Sequence, residues 1–100
     1  VILEVATLNV RPGQERDFEH AFSRAQLIIS GMAGYLSHQL QTCIEEPRRY
    51  LLLVNWQTLE DHTVGFRESA QYQEWRHLLH HFYDPFPEVL HYQVVFENTP

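Results

Sequence analysis

The sequence predicts an α+β fold: one β-α-β-β-α-β domain spanning residues 1–100, with an antiparallel sheet. Three observations carry this reading. The stretches "VILEVATLNV" (Val1–Val10) and "RYLLLVNWQ" (Arg49–Gln57) are apolar on both parities, as strands covered on both faces are. Two other stretches repeat their apolar residues at helical spacing, and polar or proline-bearing breaks separate the segments. One hundred residues hide only roughly 60–65% of the unfolded chain's surface, which leaves room for one core.

Each element follows in order. Arg11-Pro12-Gly13 ends the first strand, and Phe18, Ala21, Phe22, Ala25 and Ile28 or Ile29 then mark an amphipathic helix that stops at Ser30-Gly31. Tyr35–Thr42, "YLSHQLQT", alternates as a strand, with Leu36, His38 and Leu40 on one face and Ser37, Gln39 and Gln41 on the other. The polar turn "CIEEP" makes it a hairpin with Arg49–Gln57. Thr58-Leu59-Glu60-Asp61 resembles a capping box with Asp in the Glu position, opening a short helix to about Arg67. Ser69 caps a further helix, Ala70–Phe82. Pro85 and Pro87 forbid its continuation, and "EVLHYQVVFE", Glu88–Glu97, forms the last strand.

This order is the ferredoxin-like split βαβ arrangement. Right-handed crossovers place both helical layers on one sheet face, so the opposite apolar face needs a cover. A second copy of the chain, packed face to face, is the most economical one.

Composition narrows the function classes. Seven basic residues, all Arg, against a formal charge of −6 exclude a phosphate-backbone binder, so no nucleic acid is expected. Protonating all seven histidines lifts the charge from −6 to about +1, so solubility is expected to be poorest in mildly acidic buffer. A lone Cys43, no apolar run of about 18 residues and no secretory pattern predict a cytoplasmic protein without a membrane span. The chain opens at Val1 without Met, which implies a missing leader residue or two.

Four quoted segments, "VRPGQERDFEHAF", "GMAGYLSHQL", "LLLVNWQTLEDHTVGFRESAQYQEW" and "PFPEVLHYQVV", span nearly the whole chain. Together they resemble the antibiotic biosynthesis monooxygenase domain family of the dimeric α+β barrel group. The most specific element is the strand-ending Trp56 with its polar turn, followed by the "FRES" junction and an aromatic helix. The resemblance implies a homodimer and a small-molecule pocket between sheet and helices. Some relatives oxygenate aromatic polyketides or quinols without a cofactor, and others cleave haem. The haem-cleaving relatives use an Asn on strand one, a Trp in the short helix and a His in the next helix. The aligned positions here read Ala6, Phe66 and Arg76, with His77 one residue out of register, which counts against haem cleavage.

The conspicuous histidines are poor candidates. At ~100° per residue, Tyr72, Trp75, Leu78, Leu79 and Phe82 share one arc, and His77, His80 and His81 fall outside it. His77 and His81 at i, i+4 can pinch a metal only if another segment closes the site, so no metal is expected. His38, between Leu36 and Leu40 on one strand face, and His91, in parity with Val89, Gln93 and Val95, are either hydrogen-bonded in the core or lining a cavity. Asn55 and Trp56 point to opposite faces; Asn55 either donates to a bound phenolate or satisfies the turn, and Trp56 is a core or pocket residue. Arg67 and Arg76 hold an anionic substrate or are solvated. Phe66, Tyr72, Trp75, Phe82 and Tyr83 are core aromatics first and a substrate-stacking surface second.

The leading expectation is a cofactor-independent monooxygenase acting on a quinol or polycyclic aromatic. His38 or His91 is the expected base, and Asn55, Arg67 or Tyr72 the donors to the substrate oxygen. Trp56, Phe66 and Trp75 complete the expected binding surface. The alternatives are a non-catalytic dimer that binds an aromatic in a pocket without an approachable base and, third, haem degradation.

Overall fold

The computed structural model describes residues 1–100. Strand β1 runs Ile2–Asn9, helix α1 Glu15–Ile29, β2 Tyr35–Thr42 and β3 Arg49–Trp56. A π-helical turn, Asp61–Phe66, leads to helix α2, Ala70–Leu79, whose end tightens into a 3₁₀ turn, His80–Phe82; β4 is Glu88–Tyr92. The sheet has the order β2-β3-β1-β4 and is antiparallel throughout, which is the ferredoxin-like arrangement. No helix is long and apolar enough to cross a membrane.

Parity explains the core. Ala6, Leu8 and Val10 of the first strand and its extension, with Tyr50, Leu52, Val54 and Trp56 of β3, are buried beneath the helices. Helix α1 presents Phe18, Phe22, Ala25 and Ile29 at helical spacing, and α2 presents Trp75 and Leu79. Phe18 packs at 4.9 Å on Tyr50, and Phe22 meets Trp75 edge-on at 5.9 Å, so the helices are joined to the sheet and to one another mainly through aromatic rings. The other face carries Leu3, Val5, Leu51 and Leu53, with Leu90 and Tyr92 beside them, and no element of the chain covers it.

Several local expectations meet particular outcomes. Thr58 and Asp61 form the reciprocal box: the Thr58 amide donates to Asp61 Oδ2 at 3.1 Å, and the Asp61 amide donates to Thr58 Oγ1 at 3.1 Å. Gly34, at φ +82°, lies directly beneath that Asp61 carboxylate, where a Cβ atom would stand 2.2 Å from it. Ser69 caps α2 by accepting from the Tyr72 amide at 3.0 Å. Leu36 does not share a face with His38. A register irregularity between Tyr35 and Ser37 makes it the extra residue and leaves it exposed.

The last strand is shorter than expected. Its pairing with β1 runs from Thr7↔Glu88 to Leu3↔Tyr92, and β4 stops at Tyr92 rather than Glu97. Val94, Val95 and Phe96 lie beyond this pairing and are largely exposed, at 73%, 83% and 95%.

Candidate functional site

A cavity of about 360 Å³ lies between the sheet and α2, within the range of small-molecule sites. Its floor is the inward parity of β1, where Ala6 sits between Glu4 and Leu8. The small Ala6 side chain leaves space that Val or Leu would fill. Phe66, Tyr72 and Trp75 wall it, with Phe66 edge-on to Tyr72 at 5.2 Å and to Trp75 at 5.6 Å. His80, Tyr83 and the exposed Phe86 form a further part of the lining, with His80 edge-on to Phe86 at 5.4 Å.

The polar end of the cavity is a buried array drawn from four elements. Glu4 of β1 is 5% exposed and His62 of the π turn 3%, and these are the only two buried residues of the fold that are polar or charged. Trp56 Nε1 donates to Glu4 Oε1 at 2.9 Å, and the indole stacks on the His62 ring at 5.4 Å. His62 Nε2 stands 3.3 Å from the same Glu4 oxygen, and His62 Nδ1 is 2.8 Å from His91 Nε2 of β4. Neither contact of Glu4 uses Oε2. The π turn explains how His62 comes to face inward. Its i→i+5 bond, from the Arg67 amide to the His62 carbonyl at 3.1 Å, widens the turn and sets His62 and Arg67 one above the other on the cavity side.

Burial decides the charges here. It pushes the Glu4 carboxyl up to about 7, against the smaller downward pulls of the Trp56 hydrogen bond and the Arg67 charge. It pushes His62 down to about 3, helped by the positive charge of Arg67 and by His91. His62 is thus neutral at physiological pH, and its contact with Glu4 is a carboxyl–imidazole pair rather than an ion pair. His91 and His80 are also lowered by burial, with Arg67 acting on the first and Arg76 on the second. Tyr83 is pushed up by burial and stays a phenol. The arrangement offers a carboxyl that gains or loses a proton near neutrality, inside an aromatic cavity with a guanidinium among its lining residues.

Phe66, Arg67, Tyr72 and Trp75 all line the cavity. Trp56 lies behind it and acts on it through Glu4. His91 is joined to it through His62 and does not line it. His38 and His91, the two expected bases, share no cavity. His38 faces the helix side, where its Nδ1 bonds the Tyr35 hydroxyl and its Nε2 lies 3.0 Å from Gln26 Oε1. Because an amide oxygen only accepts, Nε2 carries the proton and Tyr35 donates to Nδ1, so both nitrogens of His38 are occupied. Asn55 turns to the open face and donates to Ser37 Oγ at 3.0 Å, on the far side of the sheet from the cavity. Ala6 and Phe66 are at the cavity, whereas Arg76 and His77 are exposed in a shallow groove. No group of three or more His, Cys, Asp or Glu side chains stands in metal-binding geometry.

Glu4, His62 and His80 are the residues that sequence reasoning missed. The signal for Glu4 is a single carboxylate within "VILEVATLNV", in parity with Ala6, Leu8 and Val10. A continuous α-helix to Phe82 would put His80 on the wet face. The 3₁₀ turn from His80 changes the angular step, and the ring comes round to the cavity beside Tyr72.

The family model for antibiotic biosynthesis monooxygenase matches residues 1–78. The chain belongs to the antibiotic biosynthesis monooxygenase family. It is 57% identical over 95 residues to the uncharacterized protein YczJ of Bacillus subtilis, covering 95% of this chain and all of that one. A crystal structure of a family protein from Bordetella bronchiseptica is 40% identical, with a TM-score of 0.91 over 95% of this chain and 97% of that one. SnoaB of Streptomyces nogalater, a cofactor-independent oxygenase, shares the family fold at 14% identity. Its TM-score is 0.83 over 96% of this chain and 94% of that one.

Proposed function

We propose that this protein is a cofactor-independent monooxygenase that acts on a reduced aromatic of quinol or polycyclic type, as a homodimer closed through its open sheet face. The observation that carries the reading is a buried, titratable carboxyl, Glu4, at one end of an aromatic-walled cavity. Membership of a family that includes oxygenases supports it. A binding-only protein was expected to lack an approachable base, and Glu4 lines the cavity.

The substrate ring stacks against Phe66, Tyr72 and Trp75. Glu4, ionised, accepts the proton of an acidic O–H or C–H bond, and the electron pair of that bond stays on the substrate. Arg67 and the Tyr72 hydroxyl stabilise the resulting oxyanion by charge and hydrogen bonding. The electron-rich anion then reduces dioxygen directly. One oxygen atom enters the product and the other leaves as water with two hydrogens that the substrate gives up, the substrate supplying all four electrons that reduce dioxygen. For the dimer, Leu3, Val5, Leu51 and Leu53 supply the self-complementary surface, and the exposed Val94–Phe96 segment extends it.

The test is oxygen consumption by the purified protein with a panel of quinols and anthrones. Turnover is expected, with a loss of about 100-fold or more in kcat on Glu4→Gln, the range for removing a general base. If the protein neither consumes oxygen with any member nor binds one, the proposal falls.

A further inference from the structure

The histidines at the end of α2 take no part in the chemistry proposed above, yet one of them borders the cavity. His80 lines the cavity and also lines a shallow groove formed with Gln73, Arg76, His77 and His81. Cavity and groove therefore meet at one side chain. On the cavity side the His80 ring has Tyr72, Tyr83 and Phe86 as aromatic neighbours, with centroids 5.4–6.0 Å away.

Charge sets what the groove takes. Its lining has one guanidinium, three imidazoles and one amide, and no carboxylate and no apolar side chain. The two close pairings of basic with acidic side chains in the fold, Arg11–Asp84 and His62–Glu4, include none of these residues. Basic residues complement the negative end of a helix, and this accounts for Arg76 and His77 in the last turn of α2. It does not account for His80 and His81 beyond that turn. In a chain of formal charge −6, three of the seven histidines stand along this groove with an arginine.

We propose that the groove is a second subsite, which holds a carboxylate carried by the aromatic substrate while the ring system occupies the cavity. The inference rests on the cavity being a substrate site, as read above, and names the class of substrate as an aromatic carboxylic acid. Arg76 is the one permanent cation of the groove, which suits a monoanion, and its planar guanidinium matches the two oxygens of a carboxylate. Gln73 and the imidazole N–H groups supply further donors. Burial and the Arg76 charge lower His80, so at neutral pH it offers an N–H bond without a charge at the boundary the substituent crosses.

The second point of attachment fixes direction. Tyr83, beside His80, bridges to Val10 past the end of β1, whereas Glu4 lies near its start, so His80 and Glu4 stand toward opposite ends of the cavity. A carboxylate held by Arg76 leaves the opposite edge of the ring system toward Glu4 and Arg67. The competing cation, Arg67, acts on Glu4 itself, and a carboxylate seated there is opposed by the ionised Glu4.

The test compares naphthylacetic acid with its primary amide, which has the same shape without the charge. Isothermal titration calorimetry of the full chain at neutral pH and low salt is expected to find the acid bound about three- to tenfold more tightly, the range for charge-assisted contacts at an exposed site. The ratio is expected to shrink as salt rises. Arg76→Gln is expected to bring it to about one, while Arg24→Gln, on the exposed side of α1, keeps the wild-type ratio. Equal binding of the two compounds, no binding of either, or a ratio that survives Arg76→Gln overturns the subsite. Nuclear magnetic resonance gives an independent reading: the acid is expected to shift the Arg76 Nε–H and the His77 or His81 ring together with the Trp75 indole N–H. An acid that shifts the cavity signals alone overturns the subsite as well. Oxygen consumption separates the two readings. Turnover of neutral quinols without preference for carboxylated ones keeps the oxygenase and removes the subsite, whereas acid-selective binding without oxygen consumption keeps the subsite and removes the oxygenase.

Discussion

Replacing Glu4 by Gln isolates the energetic effect of burying one carboxylate. Gln keeps the shape and an acceptor for Trp56 Nε1, and it removes the charge. The folded-state value of Glu4 is about 7 against 4.5 for the free group. The folded protein therefore binds more protons than the unfolded chain between those values, and stability falls as pH rises through the interval. At about 1.4 kcal/mol per unit, the loss is about 3 kcal/mol, complete by about pH 8. His62 acts in the opposite sense. Its folded value of about 3 lies below the free 6.5, so its contribution to stability is absent at low pH and grows as pH rises toward 6.5. From these two groups, wild-type stability should rise from about pH 3, level off where the slopes oppose, and fall toward pH 7 and beyond. Glu4→Gln should retain the rise and lose the fall, gaining about 3 kcal/mol relative to wild type between pH 4.5 and about 8. Urea denaturation at a series of pH values and one fixed protein concentration measures this, because assembly would make stability concentration-dependent. Parallel curves for the two proteins would refute the desolvation argument and remove Glu4 as a base poised near neutrality.

Three further outcomes are expected. Arg67→Gln removes the positive charge that lowers Glu4, His62 and His91, so all three should titrate at higher pH, as read by ¹³C-carboxyl and imidazole resonances; unmoved values would show that solvent screens Arg67 from the cavity. Gly34→Ala forces a left-handed residue and a Cβ into the Asp61 carboxylate, and should cost about 2 kcal/mol or more in thermal or urea unfolding, while a neutral effect would mean the capping turn relaxes freely. Leu53→Glu places a charge in the open sheet face, so light scattering should find a dimer in wild type and a monomer in the variant, with the α+β circular dichroism retained. A wild-type monomer would remove that face as an interface.

The fold is legible in the sequence because it depends on parity and spacing, which are local. Phe18, Phe22, Ala25 and Ile29 announce one helix face, and the two-sided apolar strands announce the two inner strands of the sheet, β1 and β3. The cavity wall is legible for the same reason, since Phe66, Tyr72 and Trp75 stand out as aromatics and Arg67 as the charge at the junction. What the sequence hides depends on geometry that has no local period. A six-residue π turn is too short to show a repeat, yet it alone brings His62 under Trp56. The end of β4 at Tyr92 falls inside an apolar stretch, Val94–Phe96, that reads like more strand, so composition alone does not mark it. His38 looks like a base because it shares a strand face with leucines, and only its contacts with Tyr35 and Gln26 show that both of its nitrogens are engaged. Glu4 escapes notice because a strand apolar on both parities can tolerate one exception. That exception is the group around which the polar end is built.

Glu4, Trp56, His62 and His91 come from four separate elements but share their bonding, and this bears on how the set is inherited. Losing one member strands a buried polar group among apolar neighbours, whereas exchanging several together for hydrophobic residues of similar volume can cost little. Descent should therefore retain or discard them as a block. Among relatives that keep this fold, a glutamate at the Glu4 position should be found with histidines at the His62 and His91 positions, and its loss with aliphatic or aromatic residues at all three. The three positions then sort members of the family that keep this buried polar array from members that share only the fold.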